Sequence, residues 1–428
     1  MRKLIFILFI AAFAHANLLA QARPVSEWVE DINTLRTEIP KRYAGFFERY
    51  PEAAWNDNLD RLIEGLQPAS DLWIGLQVQS VLARAHDAYL RADLTKQLQS
   101  DRVIPVGFGW YADGLFVSGT IHRFENTLGK KVIAINGKDP GEVLEKVGLF
   151  VSHENETGLR KDAVQWLRFP MVLRMAGITQ KDTMLLTMEN ANGDREEIPI
   201  YPINFRQMSR TDLQPAQITQ SNPDLRWQPV TGMFRLEYNE EENLVYFQYN
   251  YCASQEMAAA IGDSIAASQL PPFQPFADSI VSVLESYPGS KFFFDLRFNP
   301  GGNPADGIEL ANRLSSVVKK HAGDRLFVAI NQYSAAAPIQ IADAFRRKTR
   351  ATILGTPSSE YPNHDGSNNF LVLPNTQIQV YYPVNRPLPS SFSPNAFLPD
   401  VEVDIRFSDF IQGNDPVLDK VRDWGKEK

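Results

Sequence analysis

Lys291–Asn303 reads KFFFDLRFNPGGN. Phe292, Phe293 and Phe294, followed by Asp295, Leu296 and Arg297, form a short apolar run of the kind that makes a buried strand. Asn299, Pro300, Gly301 and Gly302 end it. Two adjacent glycines at the end of a buried strand let the backbone approach a ligand closely, with N–H groups left to face it. Such a turn suits an oxyanion. Asp295 and Arg297 flank the strand end, where they are expected to pair locally rather than act as an acid and its clamp.

Around this stretch, strands and helices alternate. Leu244–Tyr249 reads as a strand, Phe276–Ser286 as a helix, Asp306–Ser315 as a helix and Arg325–Ala329 as a strand. Pro338–Phe345 reads as a helix and Ala351–Leu354 as a strand. This alternation predicts an α/β sheet with right-handed crossovers over residues 241–428. Ile378–Tyr382 and Val401–Ile405 add β character. Residues 206–240 are polar and aperiodic and read as a linker.

Residues 101–205 are β-rich. Leu128–Lys138 predicts a strand and a tight Asn136-Gly137 turn, with a helix over Gly141–Val147. Met184–Glu189 and Glu196–Tyr201 flank Asn192-Gly193, a hairpin signal. Residues 23–98 are helical: Val25–Phe46 and Leu59–Ala92 carry apolar residues at spacings of three and four.

Residues 1–22 read as a secretory signal. Arg2 and Lys3 precede an apolar core from Leu4 to Ala14, and Ala20-Gln21-Ala22 is a small-x-small cleavage site. The core is too short to span a bilayer, and no later stretch is long and apolar enough to do so. The expected product is exported, to a periplasm or the medium, after cleavage near Ala22. Loss of Arg2 and Lys3 takes the formal net charge from −8 to −10. That acidity argues against nucleic acid and against an anionic membrane surface. Cys252 is the only cysteine, so an internal disulfide and a Cys-based zinc cluster are excluded. No HExxH or P-loop occurs, and no cofactor or metal is expected.

The C-terminal half resembles the S41 serine peptidases, the tail-specific (C-terminal processing) proteases and the tricorn core. The resemblance runs from about Leu244 to Val421. It is carried by Asp295-Leu-Arg-x-Asn299-x-Gly301-Gly302, Ser334-Ala-Ala-Ala, Ala351-x-x-x-Gly355-x-Pro357, Leu373-Pro374-Asn375, Leu398-Pro399-Asp400-Val401 and Asp415-Pro416-Val417-Leu418. The resemblance implies a crotonase-like core preceded by a helical segment and a PDZ-like module. It also implies a serine nucleophile at a helix start and a base within reach. The base is a lysine in the tail-specific branch and an upstream histidine in the tricorn-like branch.

Carried over from Gly355 and Pro357, the nucleophile position falls on Ala336 and the lysine position on Tyr361. The histidine position, within Ala85–Arg91, falls on Tyr89. Ala336 has no nucleophile, and a tyrosine, with a reference pKa of roughly 10, is a poor base at neutral pH. Gly301, Gly302 and Ala337 are the substrate-binding positions. The resemblance therefore implies a pseudopeptidase that binds a peptide or a small apolar ligand. A retinoid-binding group in the same superfamily uses the fold without proteolysis.

The other reading is an active serine endopeptidase acting on exported protein tails. It takes Ser334 as nucleophile, with His364 or His86 as base. Ser334, before three alanines and Pro338, also reads as a helix N-cap. His364, among Asn, Asp and Gly, also reads as a turn residue. His86 and Asp87 are sequence neighbours, which do not face each other on a helix.

Overall fold

The computed structural model describes residues 23–208, 213–230, 232–320, 325–362, 366–385 and 396–426. The expected signal at 1–22 lies outside them, as does His364.

Three long helices open the described fold, α1 (Val25–Arg42), α2 (Glu52–Glu64) and α3 (Asp71–Ala83), with one helical turn at Phe46–Arg49 between the first two. Trp28, Ile32, Leu35 and Ile39 recur on one side of α1 and are all buried, as the apolar periodicity requires. Helix α3 is buried on almost every side, from Leu72 to Leu82, and Ser70 caps it by accepting from the Trp73 N–H. A two-residue strand β1 (Arg91–Ala92) follows.

The next segment is an antiparallel meander of β2 (Val106–Tyr111), β3 (Gly114–Thr120), β4 (Lys131–Ile135), β5 (Met184–Glu189) and β6 (Arg195–Ile200). Asn136 (φ 49°) and Gly137 (φ 75°) turn the chain after β4 into α4 (Pro140–Gly148). The hairpin at Asn192-Gly193 joins β5 to β6. A helix absent from the sequence-based expectation, α5 (Glu156–Trp166), is inserted before β5 and capped by Asn155.

The second half is a six-stranded sheet in the order β7-β8-β9-β10-β11-β12. These strands are β7 (Phe234–Asn239), β8 (Leu244–Tyr249), β9 (Lys291–Asp295), β10 (Arg325–Ile330), β11 (Thr352–Gly355) and β12 (Val401–Glu402). Every pair is parallel except β7·β8. Strand β7 lies inside the segment expected to be linker. Helices α6 (Gln274–Ser286), α7 (Ala305–Lys320) and α8 (Ala337–Thr349) connect the strands, and α9 (Pro416–Asp423) closes the chain. The three phenylalanines explain the order. Phe292 and Phe294 pack with Leu284, Leu314 and Phe345 of α6–α8. Phe293 points the other way, among Tyr246, Phe327 and Val421. A central parallel strand covered on both faces is apolar throughout rather than alternating.

The first two segments do not have separate cores. One cluster joins Trp28 and Leu76 to Val117, Leu186 and Ile200, and also takes in Leu371, Leu373, Ile378 and Val380. Those last residues belong to a hairpin, β13 (Asn368–Val372) and β14 (Gln379–Pro383), that leaves the core sheet and pairs with β1. At its tip the Asn375 and Thr376 N–H groups donate to buried Asp31, at 2.8 and 2.9 Å.

Candidate active site

Strand β9 ends in a buried ionic knot. Arg297 Nε and Nη2 donate to Asp295 at 2.8 and 2.7 Å, and Nη1 and Nη2 donate to Asp415 at 2.7 and 2.6 Å. All three side chains are at most 1% exposed. Asp415 also caps α9 by accepting from the Val417 N–H. The pair expected at the strand end is thus present, and Asp415 makes it a triad that ties the glycine turn to the last helix.

Beyond it, Gly302 stands at φ 116°, and a Cβ there would lie 2.2 Å from the Cys252 carbonyl oxygen. Only glycine fits so close an approach. Gly301 and Gly302 do not both offer free N–H groups, as the sequence suggested. Gly301 N–H donates to Asn299 Oδ1 at 3.0 Å. The bridge to Cys252 uses the Gly301 carbonyl and the Asn303 N–H, which leaves the Gly302 N–H outside that ladder. Cys252 itself is buried, and that burial pushes its thiol up to about 12.

Facing this turn is the start of α8. A Cβ built on Gly301 would sit 3.6 Å from the Ala335 carbonyl oxygen. Ala336 is the N-cap, at φ 54° and ψ −102°, with no side-chain cap bond, and Ala337 is the first helical residue. Positive φ is rare for a residue with a Cβ, and such strain concentrates at functional turns. The strand-to-helix turn that aims a nucleophile in serine hydrolases has this sharp, strained form. Here it aims a methyl group.

Ser334 is not the N-cap. Its Oγ donates to the Leu296 carbonyl at 2.9 Å and accepts from the Asn331 N–H at 3.1 Å, and the residue is fully buried. The hydroxyl is committed to the turn between β10 and α8.

Tyr89 comes to Ala336 from the other half of the molecule. A Cβ built on Gly366 would lie 3.0 Å from Ala336 Cβ and 3.9 Å from Tyr89 Oη, so both line one small gap. Tyr89 Oη donates to Glu360 Oε2 at 2.8 Å. Burial, then the charge of Glu360, hold the phenol well above its ordinary range. It stays protonated and donates to the carboxylate, so it takes no proton at neutral pH. Glu360 went unnoticed in the sequence, although it adjoins the counted position Tyr361. It is held by a strap: Ser358 exchanges backbone and side-chain bonds with Phe397, and Asn155 Nδ2 donates to the Ser358 carbonyl.

Tyr361 points elsewhere, with the Arg49 guanidinium 4.8 Å from its ring centre and its N–H donating to Glu154. His86 lies edge-on to His153, ring centres 5.6 Å apart. Its neighbour Asp87 does not face it. Asp87 is fully buried and accepts from Tyr43 Oη and the Tyr89 N–H, with Arg49 Nη1 at 3.5 Å. This carboxylate fixes the turn that presents Tyr89. Removing one donor to a buried charge costs about 1.5–3 kcal/mol. Tyr43→Phe is therefore expected to lower the unfolding free energy by about that amount, read from denaturant titrations.

Mature CPAF complexed with lactacystin matches this chain with a TM-score of 0.64 at 13% identity, covering 94% of this chain and 98% of that one. The chain has an S41 peptidase-like fold. A second crystal structure of mature CPAF gives a TM-score of 0.62 at 12% identity, over 93% and 96% of the two chains. The photosystem II D1 C-terminal processing protease gives 0.40 at 12%, over 87% and 92%. No protein-family model and no curated sequence matches.

In this S41-like fold two cavities are lined by residues neighbouring these elements. One, about 420 Å³, is lined by Tyr89, Glu360 and Lys161. The other, about 520 Å³, is lined by residues 331–333 just before Ser334 and by Gly355, Thr356 and Pro357. Lys161 borders both and donates to Ser359 Oγ at 3.2 Å.

Proposed function

We propose that this chain is an exported S41-like pseudopeptidase, one that binds a peptide or a small apolar ligand without cleaving it. The observation that carries the reading is Ala336. It occupies the strained turn opposite the glycine loop, and it borders the same gap as a phenol already donating to Glu360. Without a hydroxyl at residue 336, and with the Tyr89 phenol donating rather than accepting, an oxyanion turn and a cleft supply only residual acceleration, on the order of 10³–10⁴ over water. Binding needs neither group.

Export is supported by the pattern of Arg2, Lys3, the apolar core and Ala20-Gln21-Ala22, which precede the first described residue. No helix among the described residues is long and apolar enough to cross a membrane. We also take the β2–β6 meander, with α4 after the Asn136-Gly137 turn, as PDZ-like, and the β7–β12 sheet as crotonase-like. CPAF, which shares the fold, is known in complex with lactacystin.

The test uses purified residues 23–428 with an unstructured protein and a serine-directed fluorophosphonate. The expected result is binding without fragments and without label. Fragmentation that disappears in Ser334→Ala would replace this reading with that of an active endopeptidase.

A further inference from the structure

The small sheet β1-β14-β13 ends on β13 (Asn368–Val372). Two bonds fix which side of β13 is used. The Val384 N–H donates to the Ser367 carbonyl at 3.1 Å, and the Leu373 N–H to the Ile378 carbonyl at 2.9 Å. Bonded pairs alternate along an antiparallel ladder, so Asn369 and Leu371 also bond inward to β14. The backbone groups of Asn368, Phe370 and Val372 are therefore directed to the outer edge. Asn369 Oδ1 accepts from the Phe370 N–H at 2.8 Å. The Asn368 and Val372 N–H groups and the three carbonyls remain for a further strand.

Open edges invite pairing with other chains, and folds blunt them with charge, proline or a covering helix. Among the described residues, the other edge strands of more than two residues are treated in that way. Strand β7 carries Arg235 and Glu237, and β6 carries Arg195, Glu196, Glu197 and Pro199. Strand β2 has α5 packed against it. Strand β13 has neither charge nor proline, and Phe370 and Val372 are 42% and 39% exposed. On its solvent face the register sets Phe370, Tyr381 and Arg91 in one row. The two ring centres are 5.8 Å apart, and the Arg91 guanidinium lies 4.9 Å from that of Tyr381.

This edge leads into the candidate site. Gly366, just before β13, borders the same gap as Ala336 and Tyr89. Asn368, the first residue of β13, lines the cavity of about 420 Å³ together with Tyr89 and Glu360. A row of alternating N–H and C=O groups is matched by another extended backbone, which a small apolar molecule does not supply.

We propose that the outer edge of β13 pairs with an extended peptide, which adds a strand to this sheet and is carried along it to the Ala336–Tyr89 gap. This names the peptide as the ligand of the binding function proposed above and rests on that reading. Main-chain bonds to Asn368 and Val372 supply affinity, and the exposed Phe370 and Val372 side chains favour apolar residues at alternate positions of the partner.

The experiment follows fluorescence anisotropy of a labelled octapeptide, Lys-Thr-Val-Thr-Phe-Thr-Val-Lys, with residues 23–428. Two further versions carry N-methyl groups on alternate amides, one on the Val and Phe amides and one on the Thr amides. Strand addition uses the amides of one side only. One methylated version should therefore bind about 10-fold or more weakly than the parent, the worth of two or more lost hydrogen bonds, and the other should bind like the parent. Val372→Pro should weaken the parent about 10-fold without lowering the melting temperature, because proline is tolerated where an edge N–H faces solvent. Equal loss in both methylated versions, or in neither, would overturn strand addition while leaving peptide binding itself intact. No binding by the parent would overturn it too. Sedimentation of the peptide-free protein as a dimer that Val372→Pro makes monomeric would assign the edge to a second copy and overturn the peptide. Cleavage of the parent, with the one-sided methyl effect kept, would support strand addition and overturn only the pseudopeptidase reading. The methyl comparison uses the unaltered protein and so decides the matter even if Val372→Pro fails to fold.

Discussion

Arg297→Met is expected to destabilise the core sheet by about 3–5 kcal/mol, the cost of breaking a buried ion cluster by removing one partner. The variant keeps Asp295 and Asp415, each 0% exposed, with no guanidinium between them. Tyr246 Oη, 3.0 Å from Asp295 Oδ2, and the Val417 N–H on Asp415 are too few to hold two like charges. The pH dependence has a definite sign. Burial pushes Asp295 up, but Arg297 outweighs it and holds the carboxyl below its ordinary 3.8. In the unaltered protein that contribution is present above pH near 3.8 and is lost as pH falls through the depressed value. Without Arg297, burial of Asp295 is opposed chiefly by the more distant charge of Arg226, and its folded carboxyl is expected to rise above its unfolded value. Protonation then favours the variant's fold as pH falls. The stability gap between the two proteins should therefore narrow from pH 7 toward pH 4.5 in denaturant titrations. A gap under about 1 kcal/mol at pH 7 would mean that the knot is not a stability element.

Ala336→Ser combined with Tyr89→His is expected to create a serine that reacts with a fluorophosphonate. The backbone of residue 336 already has the strained turn, at φ 54° and ψ −102°. Glu360 already sits where it could orient an imidazole, since it accepts from Tyr89 Oη at 2.8 Å. Ala336→Ser alone supplies a hydroxyl next to a phenol that cannot take its proton, so little labelling should follow. Adding the imidazole should raise the labelling rate by about 10²–10⁴, the usual worth of a general base. The rate should rise with pH through about 6.5, the ordinary histidine value. Glu360→Gln in that background should lower it again. A double variant that is folded by circular dichroism yet labels no faster than Ala336→Ser would mean that residues 336, 89 and 360 are not arranged as a catalytic set.

What the sequence made legible was local. The Phe292–Phe294 run, the Asn136-Gly137 turn and the hairpin at Asn192-Gly193 announce themselves in consecutive residues, because turn chemistry and short periodicities are near-neighbour effects. The core strands from β8 to β11 were readable for the same reason. Strand β7 was not, because an edge strand half exposed to solvent can carry Arg235 and Glu237 and so looks like linker. The site is harder still. Tyr89 meets Glu360 across 271 residues, and no spacing rule connects them. Ser334 misled because a serine before alanines and Pro338 is a good local cap. Its true partner is the Leu296 carbonyl, 38 residues away, and once that bond forms the helix begins two residues later.

The hairpin at residues 368–383 sets a schedule for the newborn chain. Asp31, buried in the first helix, waits for Asn375, 344 residues downstream, and β1 waits for β14. At about 5–20 residues per second of translation, that is an interval of roughly 20–70 s. Throughout it, the amino-terminal half leaves the ribosome with an unfilled aromatic core and an unpaired strand edge. Contacts of such long sequence separation also slow the search after release. The most exposed moment in the life of this protein is thus its synthesis, when a holding chaperone or a quality-control protease would meet the half-built helical core before its last strands exist.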